Sequence, residues 1–173
     1  MAIVWLTGLP CSGKTTIAKQ LQLRLEQMGK ASEVLDGDEV RTWLTDGLGF
    51  STEDRYRNIM RVGHVARLLS RNGVVAICSL VSPYETMRQR VRSAQSGYFL
   101  EVYVKTPLEV CMKRDVKGMY KRALAGEIVG FTGVDDIYEP PLNPHIAFDA
   151  SDLDSLPNIV EQIVFQLRAA GVV

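Results

Sequence analysis

Eight residues near the start of the chain, Gly8-Leu9-Pro10-Cys11-Ser12-Gly13-Lys14-Thr15, have the types and spacing of a phosphate-binding loop, G-x-x-x-x-G-K-[ST]. Glycines let the backbone turn tightly and aim N–H groups at phosphate oxygens, and a helix that starts at the loop adds a favourable dipole. A lysine directly after the second glycine reaches the β- and γ-phosphates, and the hydroxyl that follows can ligate Mg²⁺. Lys14 and Thr15 are placed for those roles, with Thr16 continuing the helix start. A glycine turn with an incidental lysine is the bland alternative, and the flanking sequence argues against it. An apolar run precedes the loop, and Ile17, Leu21, Leu25 and Met28 then share one helical face, so the motif lies between strand and helix.

Other residues could share that chemistry. Asp36-Gly37-Asp38 closes a second strand-like run, which places both carboxylates at the carboxyl end of a strand. Asp36 can hold Mg²⁺ through its water shell, and Asp38 can accept a proton from an attacking hydroxyl. The alternative is a polar turn with a helix cap. Further on, Ser51 and Asp54 are spaced like a capping box. Steps of 100° from there put Ile59, Val62, Ala66 and Leu69 on an inward stripe, whereas Arg57, His64, Arg67 and Arg71 face away. Arg55 and Asn58 fall on the inward side, and a charge there needs a partner. That partner is either an anionic ligand or an internal carboxylate such as Asp36 or Asp54. Ser82-Pro83 reads as the N-cap and first residue of a basic helix carrying Arg88, Arg90 and Arg92, with a phosphate-accepting Ser82 as the sharper alternative. Thr106-Pro107 opens another helix, through Cys111 and Arg114. From about 115 to 141 glycine hinges, the cations Lys117 and Lys121, and an aromatic that reads as exposed, Phe131, suggest a mobile lid; an inert surface loop is its rival.

Bringing these groups to one edge requires a particular architecture. Strand-like runs at 3–7, 32–35, 74–81, 99–104 and 145–148 alternate with helical patterns, the last of them over 156–169. The pattern predicts an α/β fold: a doubly wound, mainly parallel five-stranded sheet with helices on both faces, built as a single domain over 1–173, and the phosphate loop after its first strand makes it of the P-loop NTPase type. Lysine plus arginine and aspartate plus glutamate each number 20, so a general nucleic-acid binder is not expected. Cys11, Cys78 and Cys111 lack C-x-x-C spacing and read as reduced thiols of a cytoplasmic protein. His64 and His145 have no metal-ligand spacing and read as structural. The first apolar run is too short for a secretory signal, and no segment approaches membrane-spanning length, so no membrane partner is expected.

Taken together, these residues resemble the adenylylsulfate kinase family. The resemblance rests on the phosphate loop, Asp36-Gly37-Asp38 with Val40-Arg41, Leu48-Gly49-Phe50-Ser51 with Asp54-Arg55 and Asn58-Ile59, and Ser82-Pro83-Tyr84. It is most specific from Thr106-Pro107 through Arg114-Asp115, Lys117-Gly118 and Tyr120-Lys121 to Gly130-Phe131-Thr132-Gly133, and it covers nearly the whole chain. It implies Mg²⁺-dependent transfer of the ATP γ-phosphoryl group to the 3′-hydroxyl of adenosine 5′-phosphosulfate, in sulfate assimilation, by a homodimer. ATP would lie on Gly8, Leu9, Pro10, Cys11, Ser12, Gly13, Lys14, Thr15 and Thr16, with Arg114. Phe50 and Phe131 would sandwich the substrate adenine, and Arg41, Arg55 and Asn58 would bind its phosphosulfate and ribose region. Asp38, Val81 and Ser82 belong to the same acceptor side, and Lys117 and Lys121 to the lid. The family's serine, here Ser82, has been associated with a phosphoenzyme, although direct transfer is more economical. Glu39, Glu85 and Leu124 depart from the family pattern of asparagine, arginine and arginine. Rival readings are a shikimate, gluconate or nucleoside kinase, and a nucleotide-dependent switch; the switch lacks an Asn-Lys-x-Asp guanine signature.

Overall fold

In the computed structural model, which describes residues 1–173 apart from the side chain of Leu153, the strands are β1 (Ala2–Thr7), β2 (Ser32–Asp36), β3 (Val75–Ser79), β4 (Tyr98–Val104) and β5 (Ile146–Phe148). They form one five-stranded sheet in the order β2-β3-β1-β4-β5, and every pairing is parallel. The helices are α1 (Lys14–Gln27), α2 (Gly37–Trp43), α3 (Thr52–Arg71), α4 (Glu85–Ser93), α5 (Leu108–Arg114), α6 (Met119–Leu124) and α7 (Leu156–Ala169). No helix among the described residues is long and apolar enough to cross a membrane.

The central strand shows why both faces are covered. Side chains alternate along a strand, so Ala2, Val4 and Leu6 point one way and Ile3 and Trp5 the other. The first set packs with Ile17 and Leu21 of α1 and with Ile163 and Leu167 of α7. The second packs with Ile59, Val62 and Ala66 of α3 and Met87 and Val91 of α4. Each fully buried aliphatic side chain contributes about 1.5–3 kcal/mol. The carboxyl ends of three strands are level: Leu6 of β1 pairs with Ser79 of β3, and Ser79 with Asp36 of β2. Register therefore delivers the phosphate loop, Asp36 and Ser79 to one edge, where ligands of open α/β sheets bind.

Most helix boundaries follow local rules. Ser51 caps α3 by accepting from the Asp54 N–H at 3.1 Å, and Asp54 Oδ2 answers by accepting from the Ser51 hydroxyl at 2.9 Å and the Gly49 N–H at 3.1 Å. Two starts differ from the sequence expectation. Pro107 is the N-cap of α5 rather than a residue of its first turn. Ser82-Pro83 does not open α4, which begins at Glu85 with Tyr84 as N-cap. The Ser82 hydroxyl is engaged elsewhere, accepting from the Trp5 indole N–H at 3.1 Å and donating to Thr7 Oγ1 at 3.0 Å. Its backbone turns through a left-handed φ of 41°, and the first helical N–H, that of Glu85, is capped by Glu139 Oε2 at 2.7 Å. A cap from so distant a residue leaves no local signal.

The segment after α5 is packed rather than free-standing. Tyr120, Cys111, Ala123 and Phe131 form a third apolar cluster. Phe131 is accordingly 4% exposed, contrary to its reading as an exposed aromatic, and its ring meets Tyr120 edge-on at 5.0 Å. The reason is the turn behind it: Asp135 accepts from the N–H groups of Gly130 and Phe131, at 2.7 and 2.6 Å, and folds the ring inward.

Candidate active site

A cleft of about 560 Å³ opens at the carboxyl edge of the sheet, with the phosphate loop on one wall. Gly13 takes a left-handed φ of 106° at the N-cap of α1, and no side chain caps that helix. Its first N–H groups, at Lys14, Thr15 and Thr16, therefore have neither an intrahelical partner nor a side-chain cap, which is the arrangement that binds phosphate oxygens. Gly8 cannot be replaced without moving the loop, because a Cβ there would lie 2.4 Å from the Val104 carbonyl oxygen. Two groups brace the loop from outside. Tyr120 Oη donates to Pro10 O at 3.0 Å, and Arg114 reaches from Ala150 O, at 2.6 Å, toward Cys11 O and Ser12 O, both at 3.4 Å.

Lys14 is buried inside the loop it serves. Its ammonium donates to Gly8 O at 2.9 Å, Leu9 O at 2.7 Å and Ser12 Oγ at 3.4 Å. Burial lowers its pKa to about 8, against smaller opposing effects of nearby thiols and of Asp36 and Asp38. Next to it Thr15 Oγ1 donates to Asp36 Oδ2 at 2.7 Å and lies 3.4 Å from Ser79 Oγ. Asp36 does double duty, since its Oδ1 caps α2 by accepting from the Asp38 N–H at 3.1 Å. The cap reading and the metal reading of Asp36 are thus compatible. Asp38 projects into the cleft and is ion-paired with Lys117 from the segment beyond α5.

The opposite wall is made of side chains. Arg41 and Arg55 approach the ring of Phe50, with guanidinium carbons 4.5 and 5.5 Å from its centroid. Burial lowers the pKa of both arginines, and for Arg41 the charge of Arg55 lowers it further. Paired cations held this closely around an aromatic ring suit a planar, anionic ligand. Arg55 finds its internal carboxylate in Asp136, at 3.6 Å, rather than in Asp36 or Asp54. Asn58 Oδ1 accepts from Thr45 Oγ1 at 2.8 Å, which orients its amide.

Beneath this wall lies a buried polar network. Arg88, whose side chain is fully buried, donates to Ser82 O at 2.7 Å, Glu139 O at 2.7 Å and Glu85 Oε2 at 2.6 Å, with Glu101 Oε1 3.3 Å from its Nε. Glu85, the departure from the family's arginine, is therefore a partner of Arg88. Ser82 is 1% exposed with its hydroxyl committed to Trp5 and Thr7, an environment unlike that of a phosphate acceptor.

Of the residues singled out in the sequence, Pro10 through Thr16, Asp36, Asp38, Arg41, Phe50, Arg55, Asn58, Val81, Ser82, Arg114, Lys117 and Phe131 all line the cleft. Gly8, Leu9 and Lys121 do not: the first two hold Lys14 through their carbonyls, and Lys121 is exposed on α6, its N–H bonded to Asp115 at 3.0 Å. Ser79 and Thr132 also line the cleft and were missed. Ser79 could have been found from its place at the end of an apolar central strand, but Thr132 carries no such signal.

The description "Adenylylsulphate kinase" belongs to a family model that matches residues 1–149, most of the chain. The chain belongs to the adenylylsulfate kinase family. An adenylyl-sulfate kinase of Rippkaea orientalis is 55% identical over 168 residues, spanning 97% of this chain and 92% of that one. Another from Microcystis aeruginosa is 53% identical, with the same coverage. Among solved structures, the Mycobacterium tuberculosis APS kinase CysC in complex with AMPPNP and APS superposes with a TM-score of 0.91 at 37% identity, over 96% of this chain and 97% of that chain. Membership in the adenylylsulfate kinase family makes the chain an ATP-dependent phosphotransferase. It also decides against the switch.

Proposed function

We propose that this chain transfers the γ-phosphoryl group of ATP to the 3′-hydroxyl of adenosine 5′-phosphosulfate, giving 3′-phosphoadenosine 5′-phosphosulfate and ADP. The observation that carries this reading is the juxtaposition across one cleft of an uncapped helix start with Lys14 and a wall where Arg41 and Arg55 flank Phe50. The first suits a triphosphate. The second suits an adenine nucleotide bearing a further anionic group better than it suits a sugar acid or shikimate.

ATP would lie with its phosphates on the amides of Lys14, Thr15 and Thr16, and Lys14 would exchange its carbonyl partners for β- and γ-phosphate oxygens. Phe50 and Phe131 would hold the acceptor adenine, and Arg41, Arg55 and Asn58 its phosphosulfate and ribose. Asp38 would orient the 3′-hydroxyl and take its proton as the O–P bond forms and the bond to ADP breaks. Because the transferred group passes through a loose transition state, positioning and charge neutralisation are most of what the protein supplies. Thr15 Oγ1 and Asp36 Oδ2 offer the hard oxygen donors that suit Mg²⁺, an ion that takes few protein ligands and binds substrate phosphates. Mg²⁺ bound there would supply neutralisation of charge on the β- and γ-phosphates. The buried, fully bonded Ser82 supports direct transfer over a phosphoserine. Lys117 would move from Asp38 to phosphate oxygens as part of a lid spanning about 115–141, in a single kinase domain. A cytoplasmic homodimer completes the reading; 82% exposed Trp43 is an apolar group that a second copy could cover, and light scattering on purified protein tests it.

ADP release measured with adenylylsulfate, adenosine, shikimate and gluconate as competing acceptors tests the function. Enhancement by adenylylsulfate alone is expected. Equal background rates with all four would remove the proposal.

A further inference from the structure

One carboxylate outside the phosphate chemistry joins its own turn to groups from two distant parts of the chain. Asp136 Oδ1 accepts from Tyr84 Oη at 2.6 Å, and Oδ2 accepts from Thr132 Oγ1 at 3.2 Å and lies 3.6 Å from Arg55 Nη2. Tyr84 belongs to the loop after β3, Arg55 to α3, and Thr132 to the turn that carries Phe131. The turn is itself closed, through the Asp136 N–H to Phe131 O at 3.3 Å and the Gly133 N–H to Asp136 O at 2.8 Å. Asp136 therefore cannot shift without moving Phe131, and the Arg55 side chain is tethered to the same point.

The orientation of Arg55 is what this achieves. Its Nε donates to Phe50 O at 2.9 Å and its Nη2 to Gly130 O, two backbone acceptors from segments far apart in sequence that meet beside α3. With the Nη2 end also facing Asp136, Nη1 is the end of the guanidinium left without a hydrogen-bond partner among the described residues, and Arg55 lines the cleft. A guanidinium with its back held by two carbonyls and a carboxylate presents one fixed edge to a ligand. The electrostatic cost is visible: a negative charge beside the cation weakens its pull on an incoming anion. Such an arrangement sacrifices attraction for preorganisation, which lowers the ordering cost of binding.

We infer that Asp136 is a positioning residue for the acceptor half of the cleft, fixing Arg55 and the Phe131 turn together so that the acceptor nucleotide meets a preformed clamp. This inference rests on the proposed acceptor and adds to it a residue that touches neither substrate.

Steady-state kinetics on the full chain, with ATP and adenylylsulfate each varied, test it in wild type, Asp136→Asn, Tyr84→Phe and the double variant. Freeing Arg55 should raise KM for adenylylsulfate about tenfold in Asp136→Asn, the effect of losing one charge-assisted contact. Over the same comparison kcat and KM for ATP should stay within about twofold, since the hydrogen bonds of the Asp136 carboxylate go to Tyr84 and Thr132 and none to the phosphate loop. Tyr84→Phe should show a smaller rise of the same kind, about threefold, and the double variant should be no worse than Asp136→Asn alone, because both act through one carboxylate. An unchanged or lowered acceptor KM in Asp136→Asn overturns the inference, as does an equal rise in both KM values, which marks general loosening. If Asp136→Asn unfolds early in a melting experiment, Tyr84→Phe decides: a selective rise in acceptor KM supports positioning, and none overturns it. Wild type that ignores adenylylsulfate would instead remove the acceptor reading and this inference with it, a result distinct from an active wild type whose variants behave normally.

Discussion

The two walls of the cleft are built on different principles. The phosphate wall is nearly all backbone: one contiguous stretch from Pro10 to Thr16, shaped by the left-handed Gly13 and by an α1 that no side chain caps. The acceptor wall is nearly all side chain, assembled from Arg41, Phe50, Arg55, Asn58 and Phe131 and held by partners such as Asp136 and Thr45. A backbone site depends on the space around each Cα and is insensitive to most side-chain changes. A side-chain site has the opposite sensitivity, because each group is only as well placed as its partner. The wall in between, where Asp36 and Asp38 stand, uses both: one carboxylate is spent on a helix cap and the Thr15 hydroxyl, and the other stays exposed to the cleft.

The largest expected effect falls between the walls. Asp38→Asn should lower kcat by about a hundredfold to ten-thousandfold, the range for loss of a positioned general base. ATP binding measured by calorimetry should be little changed, since the asparagine remains outside the phosphate loop. A kcat within threefold of wild type would falsify the proton-accepting role and leave Asp38 as the resting partner of Lys117 alone. The phosphate wall comes next. Gly8→Ala forces a Cβ to within 2.4 Å of Val104 O, where only backbone can yield, so the loop must shift. Displacement of about 1 Å at such a site costs about a hundredfold, and here it should appear in kcat/KM for ATP. An alanine variant with normal ATP kinetics would mean that the loop is more compliant than its contacts indicate.

The same contrast explains what could be read from sequence. The parallel five-stranded sheet, the phosphate loop and the inward Arg55 and Asn58 were legible because each depends on periodicity or on a motif whose parts are adjacent, whereas the strand order was not. Ser82 was misjudged as a helix cap because its true partners, Trp5 and Thr7, are 77 and 75 residues away. Phe131 was misjudged as exposed for a different reason: its partners Asp135 and Tyr120 are near in sequence, but its burial follows from the turn that Asp135 closes and not from local polarity. Asp136 as the partner of Arg55 was out of reach: sequence offered Asp36 and Asp54, and only the turn at 131–136 brings the third aspartate across. The acceptor's identity came from resemblance, because no local rule connects two arginines and a phenylalanine to one nucleotide.

Within the acceptor wall the two aromatics should part company. Phe50 is 41% exposed and Phe131 is 4% exposed. Phe50→Ala should raise KM for adenylylsulfate about tenfold, the value of one lost base-stacking contact, with an unchanged melting temperature. Phe131→Ala removes a core ring as well and should cost about 3–5 kcal/mol of stability. Chemical denaturation of the two variants separates them. Equal stability would show that the cluster around Tyr120 does not depend on the Phe131 ring.

The smallest effect tests the one charged side chain that belongs to the backbone wall. Lys14 has a pKa of about 8 in the free chain, below the ordinary 10.5, because burial disfavours its charged form. Phosphates favour that charged form, so the complex keeps the proton to higher pH than the free protein. Below pH 8 the free lysine is already protonated and nucleotide affinity should be flat. Above it, binding requires uptake of a proton, and affinity should fall, by about fourfold between pH 7 and pH 8.5. The stability contribution runs the other way. Between pH 8 and 10.5 the unfolded lysine binds more protons than the folded one, so this group's contribution to stability rises with pH across that window. Calorimetry of a non-hydrolysable ATP analogue in buffers of different ionisation enthalpy reads the proton directly. Lys14→Met should bind more weakly at every pH and lose the slope. A slope that survives in Lys14→Met would assign the proton to another group and would separate the phosphate wall from its lysine.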